Sequence, residues 1–180
     1  MSSKIHEERG ASQFPTLKFG IVSISSSRFE SRARGAELTD ESGDLAEDAI
    51  SNSGHTVAYR CLVDDDVLQI RHAVLSSLVE HGCDVCVTLG GTGVSPRDVT
   101  YESVSPLLEK ELPGFAELFR SLSLREIGEA TVATRCVAGV THGRLIVSLP
   151  GSPDAVRLGA RLVLSQARHL VSIARQGSDG

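Results

Sequence analysis

Residues 83–100 read Cys-Asp-Val-Cys-Val-Thr-Leu-Gly-Gly-Thr-Gly-Val-Ser-Pro-Arg-Asp-Val-Thr, an apolar run that breaks first into glycine and then into charge. The part from Cys83 to Leu89 reads as one buried β-strand, mostly of small and β-branched residues. Gly90-Gly91-Thr92-Gly93 ends it. Glycines at a strand end let the backbone take positive φ and turn its N–H groups toward an anion. Thr92 and Ser95 add hydroxyl donors and Arg97 adds a charged one. The run is not a P-loop, since no Gly-Lys-Ser/Thr follows, and it is not a GxGxxG fingerprint. A bare GGTG turn is often structural; joined to Arg97-Asp98-Val99-Thr100 it becomes much more specific.

Working outward, helices and strands alternate. Upstream, Val67, Ile70, Val74, Leu75 and Leu78 recur at helical spacing and His81-Gly82 closes that element. Thr56 to Val63 is strand-like and ends at Asp64-Asp65-Asp66. A helix starts near Asp40–Ser42, both good N-cap types, and stops at Asn52-Ser53-Gly54. Leu17 to Ser25 is a first buried strand, and the segment from 26 to 43, with Arg28, Arg32 and Arg34, reads as a polar loop. Downstream, helical segments are expected around Val104–Lys110, Phe115–Leu122 and Leu124–Ala130, with Pro113-Gly114 separating the first two. Leu145 to Leu149 is a last buried strand and a long helix covers about Ala155 to Ala174. This alternation implies an α/β fold with a doubly wound, mostly parallel sheet covered on both faces. One domain over residues 17–175 is expected, with tails at 1–16 and 176–180.

The chain has 180 residues, 41% hydrophobic and 23% charged, enough to build one sizeable core. Lys and Arg number 18 against 23 Asp and Glu, a net charge of −5, which argues against nucleic acid or a polybasic membrane surface. No apolar run approaches the roughly 18–20 residues of a membrane span, and the N-terminus lacks the apolar stretch of a signal peptide. A cytoplasmic protein is expected. Cys83 and Cys86 have metal or redox spacing, but on one strand their side chains point to opposite faces and cannot share an ion. They read as small buried hydrophobes. The six histidines show no chelating spacing.

In open α/β sheets, ligands bind outside the carboxyl ends of the strands. Ser25 after the first strand, Asp64–Asp66 after the second, Gly90–Asp98 after the third and Pro150–Ser152 after the last should therefore converge. Asp98 and Asp64 are candidate carboxylates for Mg²⁺, an ion held by one or two carboxylates together with substrate phosphates. On spacing alone Asp98 reads first as an N-cap and Asp64 as a turn residue, with Asp65 and Asp66 equally able to serve. Pro150-Gly151-Ser152 before a helix offers an anion site through free N–H groups, or a plain helix start with Ser152 as its cap.

These residues resemble the molybdopterin-binding MoaB/Mog family, the molybdopterin adenylyltransferases of molybdenum cofactor synthesis. The likeness runs from about Phe19 to Arg175. It is carried by Ser23-Ile24-Ser25, Asp40-x-Ser42-Gly43, the Gly90–Thr100 run, Pro113-Gly114-Phe115 and Leu149-Pro150-Gly151-Ser152. Residues 114–128 look closer to the MoaB branch. The resemblance implies a three-layer α/β/α molybdopterin-binding domain that assembles as a homotrimer or hexamer. It implies transfer of AMP from Mg-ATP to the terminal phosphate of molybdopterin, with pyrophosphate released and the product handed to a metal-insertion enzyme. The family's essential aspartates map to Asp98 and to Asp64. The implied substrate contacts fall on Ser25, Gly90, Gly91, Thr92, Gly93, Ser95, Arg97, Pro150, Gly151 and Ser152. Many members carry Asp where this chain has Ser26. Some MoaB-branch members lack the Arg-Asp pair and are inactive, whereas this chain keeps Arg97-Asp98. A further expectation is that apolar positions around Leu118–Leu122 and Val156–Val171 exceed one buried stripe and face a neighbouring subunit.

Overall fold

Phe19 and Ile21 project to one side of β1 (Lys18–Ile24), and Val22 and Ile24 to the other, so one strand feeds two cores. The structure, a computed structural model, describes residues 16–35 and 39–176. The expected tails lie outside the described residues apart from Thr16 and Gln176. The remaining elements are α1 (Ser26–Ala33), α2 (Glu41–Asn52), β2 (Thr56–Val63), α3 (Val67–Leu75), β3 (Val85–Leu89), α4 (Thr100–Val104) and β4 (Lys110–Glu111). They continue as α5 (Pro113–Ile127), β5 (Val137–Thr141), β6 (Arg144–Leu149) and α6 (Pro153–Arg175).

The six strands form one sheet in the order β2-β1-β3-β6-β5-β4. β2, β1, β3 and β6 run parallel, with Ile21 beside Val87 and Val87 beside Val147, while β5 is antiparallel to β6 and β4 to β5. One face of the sheet packs Phe19, Val87 and Leu149 against Ala46 and Ile50 of α2, Phe119 of α5, and Val156, Val163, Ala167 and Val171 of α6. The other face packs Val22, Cys86 and Ile146 against Ile70 and Val74 of α3 and Val104 of α4. Helices thus cover both faces, giving the three-layer α/β/α arrangement expected. Since four strands are parallel, their carboxyl ends meet along one edge. No helix among the described residues is long and apolar enough to cross a membrane.

Several local expectations change. The segment after β1 is not a loop: α1 forms there, with the Ser25 hydroxyl capping the Arg28 N–H and no residue buried. A helix with no buried face leaves no apolar period to read. Pro113-Gly114 does not separate two helices. Pro113 occupies the first turn of α5, where its missing N–H costs nothing, and the helix runs unbroken to Ile127. β4 and β5 form where no strand was expected, since β4 has two exposed residues and β5 contains Gly139. Val156, Val163, Ala167 and Val171 of α6 are consumed by this chain's own core. On α5, Leu118 is exposed as expected, and so are Leu124 and Ile127 beyond the expected stretch.

Cys83 also moves. The strand begins at Val85, so Cys83 precedes it and is not bound by strand alternation. Both thiols lie against the Ser77 hydroxyl, on the same side of the sheet, contrary to the expected opposition. Both are buried, and desolvation pushes the Cys86 thiol up to about 12, which keeps it neutral. Among the described residues no group of three or more His, Cys, Asp and Glu side chains could hold a metal.

Candidate functional site

Two glycines fix the turn at the carboxyl end of β3. Gly90 has φ of 112°, and a Cβ there would stand 2.3 Å from the carbonyl oxygen of Ile24 at the end of β1. Gly91 has φ of 62°, and a Cβ there would meet Thr100 Oγ1 at 2.4 Å and Asp65 Oδ1 at 2.8 Å. Neither position accepts a side chain without moving backbone or a carboxylate. Buried Thr100 closes the base of the loop: its hydroxyl donates to Gly90 O at 2.8 Å and its amide to Gly91 O at 3.0 Å. From there Val94, Ser95, Pro96 and Arg97 project into solvent.

The carboxylates separate by role. Asp98 is no helix cap: Val99 occupies the N-cap of α4, and Asp98 Oδ2 instead accepts the Ser95 amide at 2.8 Å. This folds the loop back so that Asp98 Oδ2 lies 2.7 Å from where a Gly93 Cβ would be. The three aspartates after β2 have three different tasks. Asp66 caps α3 through the Gln69 N–H, and Asp64 Oδ1 accepts the amide of its neighbour Asp65. Asp65 reaches furthest into the glycine turn. Its Oδ2 accepts both the amide (2.8 Å) and the hydroxyl (2.9 Å) of Ser26, while Oδ1 lies against Gly91. Asp64, singled out from the sequence, thus sits beside this contact, and Ser26 is the partner that makes it.

Asp40, expected from the sequence as a helix N-cap and quoted for its motif, anchors the other flank. It caps α2 through the Gly43 N–H and accepts Ser23 Oγ at 2.6 Å, Arg28 Nη1 at 3.2 Å and Arg60 Nη2 at 3.1 Å. Burial works to raise its pKa, but the bonds from Ser23, Arg60 and Gly43 outweigh it and hold the carboxyl below its ordinary value. Arg28 is thereby committed to Asp40, and Arg34 pairs with Glu30 on the same helix. Ser25, expected at the ligand, caps α1.

The β6 end closes the site from a third side. Gly151 packs against Gly90, where a Cβ would stand 3.2 Å from the Gly90 Cα, and Gly151 O accepts the Ser42 hydroxyl at 2.6 Å. Ser152 holds the N-cap position of α6, yet its side chain makes no capping bond. The cap expected of Ser152 is therefore unmade. The structure brings together Ser26, Asp65, Gly90, Gly91 and Gly151, with Gly93, Ser95, Arg97 and Asp98 on the adjoining loop.

Arg135, ahead of β5, was not foreseen. Its amide donates to Thr92 O (2.9 Å), its Nε to Gly93 O (2.6 Å), its Nη2 to Asp98 O (2.7 Å), and its Nη1 to the Glu102 carboxylate. The Glu102 bond from Arg135 lowers that carboxyl's pKa, against a small opposing effect of burial. A cleft of about 400 Å³ opens here, lined by Ser95, Asp98, Glu102 and Arg135 among others. The partners lie 33 or more residues from Arg135 in sequence, so no local pattern could reveal them.

Residues 20–169 match the family described as a "probable molybdopterin binding domain". The chain is 40% identical over 165 residues to the molybdopterin adenylyltransferase of Pyrococcus furiosus, covering 89% of this chain and 93% of that protein. It is 41% identical over 152 residues to molybdenum cofactor biosynthesis protein B of Bacillus anthracis, covering 83% and 86%. Among solved structures, a molybdenum cofactor biosynthesis protein B superposes with a TM-score of 0.81 at 38% identity, over 89% of this chain and 97% of the other. The tungsten cofactor synthesizing protein MoaB from Pyrococcus furiosus gives a TM-score of 0.78 at 40% identity, over 89% and 98%.

Proposed function

We infer the reaction from one premise: this chain belongs to the molybdopterin-binding domain family. It acts in molybdenum cofactor biosynthesis as a molybdopterin adenylyltransferase, consistent with the names its relatives carry. The terminal phosphate oxygen of molybdopterin attacks the α-phosphorus of ATP and a new phosphoanhydride bond forms. The bond from the α-phosphorus to the oxygen bridging it to the β-phosphorus breaks, and pyrophosphate leaves. The attacking oxygen is already anionic, so no side-chain nucleophile or general base is needed. Catalysis is then positioning and charge neutralisation.

The observation that carries this reading is the pair of carboxylates set against glycine backbone, Asp65 at Gly91 and Asp98 at Gly93. Backbone N–H groups of Gly91–Gly93, the Ser95 hydroxyl and Arg97 face the nucleotide phosphates. Gly90, whose N–H is donated to Leu149 O, shapes the turn, and Pro150–Ser152, with Ser25 at the cap of α1, faces the second anion. Mg²⁺ accompanies the nucleotide. Asp98, with Asp64 or Asp65, offers the hard oxygen donors this ion prefers, and the ion would neutralise charge on the phosphates. The exposed apolar residues of α5 offer a surface for a homotrimer or hexamer, and the product passes to a metal-insertion enzyme in the cytoplasm. Incubation with Mg-ATP and molybdopterin should release pyrophosphate and yield a molybdopterin–AMP adduct. Molybdopterin binding without pyrophosphate release would make the chain a carrier and refute the enzyme.

A further inference from the structure

We propose that Arg135 is a positioning residue that holds the 93–98 loop in its anion-binding shape, and so sets where Asp98 stands during transfer. The proposal rests on the adenylyltransferase reading for the transfer step and on geometry alone for the loop. Two backbone carbonyls bracket the exposed loop, that of Gly93 before it and that of Asp98 at its end. Both accept from one edge of the same guanidinium, at 2.6 and 2.7 Å. The edge is a rigid planar fork, so it fixes the spacing between the two ends of the loop. The Arg135 amide adds a bond to Thr92 O at 2.9 Å.

The charge of Arg135 is not aimed at a ligand. Its remaining edge meets Glu102, and its Cζ lies 5.7 Å from the centre of the Tyr101 ring. What it does to the loop follows from peptide planarity. A trans peptide sends its C=O and its N–H in opposite directions. Turning the Gly93 and Asp98 carbonyls toward Arg135 therefore turns the Val94 and Val99 amides away from it. The loop then offers N–H groups to an anion while Arg135 stays behind as its frame. Lysine cannot make this fork, because its ammonium presents a point charge.

Amide hydrogen exchange on the unliganded protein tests this without any substrate. Arg135→Ala should speed exchange at Ser95 and Asp98 by about 5- to 30-fold, the effect of losing one or two kcal/mol of loop closure. Amides in β1 and β3 should keep their protection. In the transfer assay kcat should fall by roughly 10²-fold, the scale of a misplaced reacting group. Arg135→Lys should recover only part of each effect, and it decides the matter if the alanine variant fails to fold. Exchange at Ser95 unchanged in both variants would overturn the proposal, whatever happens to activity, since Arg135 would then act by direct charge or not at all. Exchange raised equally throughout the sheet would overturn it too, as the role would be general stability. A parent protein without pyrophosphate release would remove the reaction but leave the exchange result to judge the loop.

Discussion

Asp40 and Asp98 are two carboxylates along one sheet edge, and the structure treats them oppositely. Asp40 accepts from Ser23, Arg28, Arg60 and Gly43, so every lobe of the carboxylate has a partner within the chain. Asp98, among the described residues, takes the Ser95 amide. The first charge is neutralised before any ligand arrives, and the second stands on a solvent-facing loop with capacity to spare. A saturated carboxylate holds the fold, whereas an unsaturated one is available for chemistry. Residue type does not distinguish them; the partners each carboxylate already holds do.

The contrast breaks most sharply at Asp98. Asp98→Asn should cut adenylyl transfer by about 10²-fold or more, the scale of a single electrostatic group, while molybdopterin binding survives. Turnover close to the parent's would return Asp98 to a structural role. Asp65 lies between the extremes, with Ser26 on one oxygen and Gly91 against the other. Asp65→Asn should lower transfer by about tenfold, roughly 1.4 kcal/mol, and a steady-state assay that finds no loss would place Asp65 with Asp40.

Asp40→Asn should leave kcat within a few-fold of the parent and act on stability instead. Bonds to a charged group are worth about 1.5–3 kcal/mol, but Arg28 and Arg60 are partly exposed, which brings the expectation to about 1–2 kcal/mol. Urea unfolding measures it, and a large loss of kcat without loss of stability would dissolve the distinction. The smallest effect is a pH signature. Because the folded state holds Asp40 below its ordinary 3.8, its contribution is present above that value and is lost as pH falls through the lowered one. The stability difference between parent and Asp40→Asn should therefore narrow below about pH 4. A difference that stays constant to pH 2 would show that Asp40 is not charge-stabilised.

Much of the edge was legible in the sequence. The β1, β2, β3 and β6 strands, the glycine turn and the Pro150–Ser152 entry to α6 follow from apolar runs and from glycine and proline placement. What escaped shares a physical cause. Helix α1 has no buried face to give a period, and β4 exists only as a partner of β5. Asp65 was indistinguishable from Asp64 and Asp66 until Ser26 and Gly91 selected it. Arg135 works across the chain through carbonyl oxygens, which carry no sequence identity. Cys83 was misplaced by two residues of strand boundary, enough to reverse the face its thiol takes.

The short strand β4 carries a last consequence. It occupies the outer rim of the sheet with only Lys110 and Glu111, both exposed and both charged, and the opposite rim, β2, alternates exposed Thr56, Ala58 and Arg60 with half-buried neighbours. An incoming strand would find too little backbone on one side and, on the other, a ladder bulged at Ala58 with Arg60 exposed on it. Growth of the sheet from chain to chain is thereby discouraged at both rims, and fibril-like stacking with it. Any lasting association between copies of this protein is left to its helical faces.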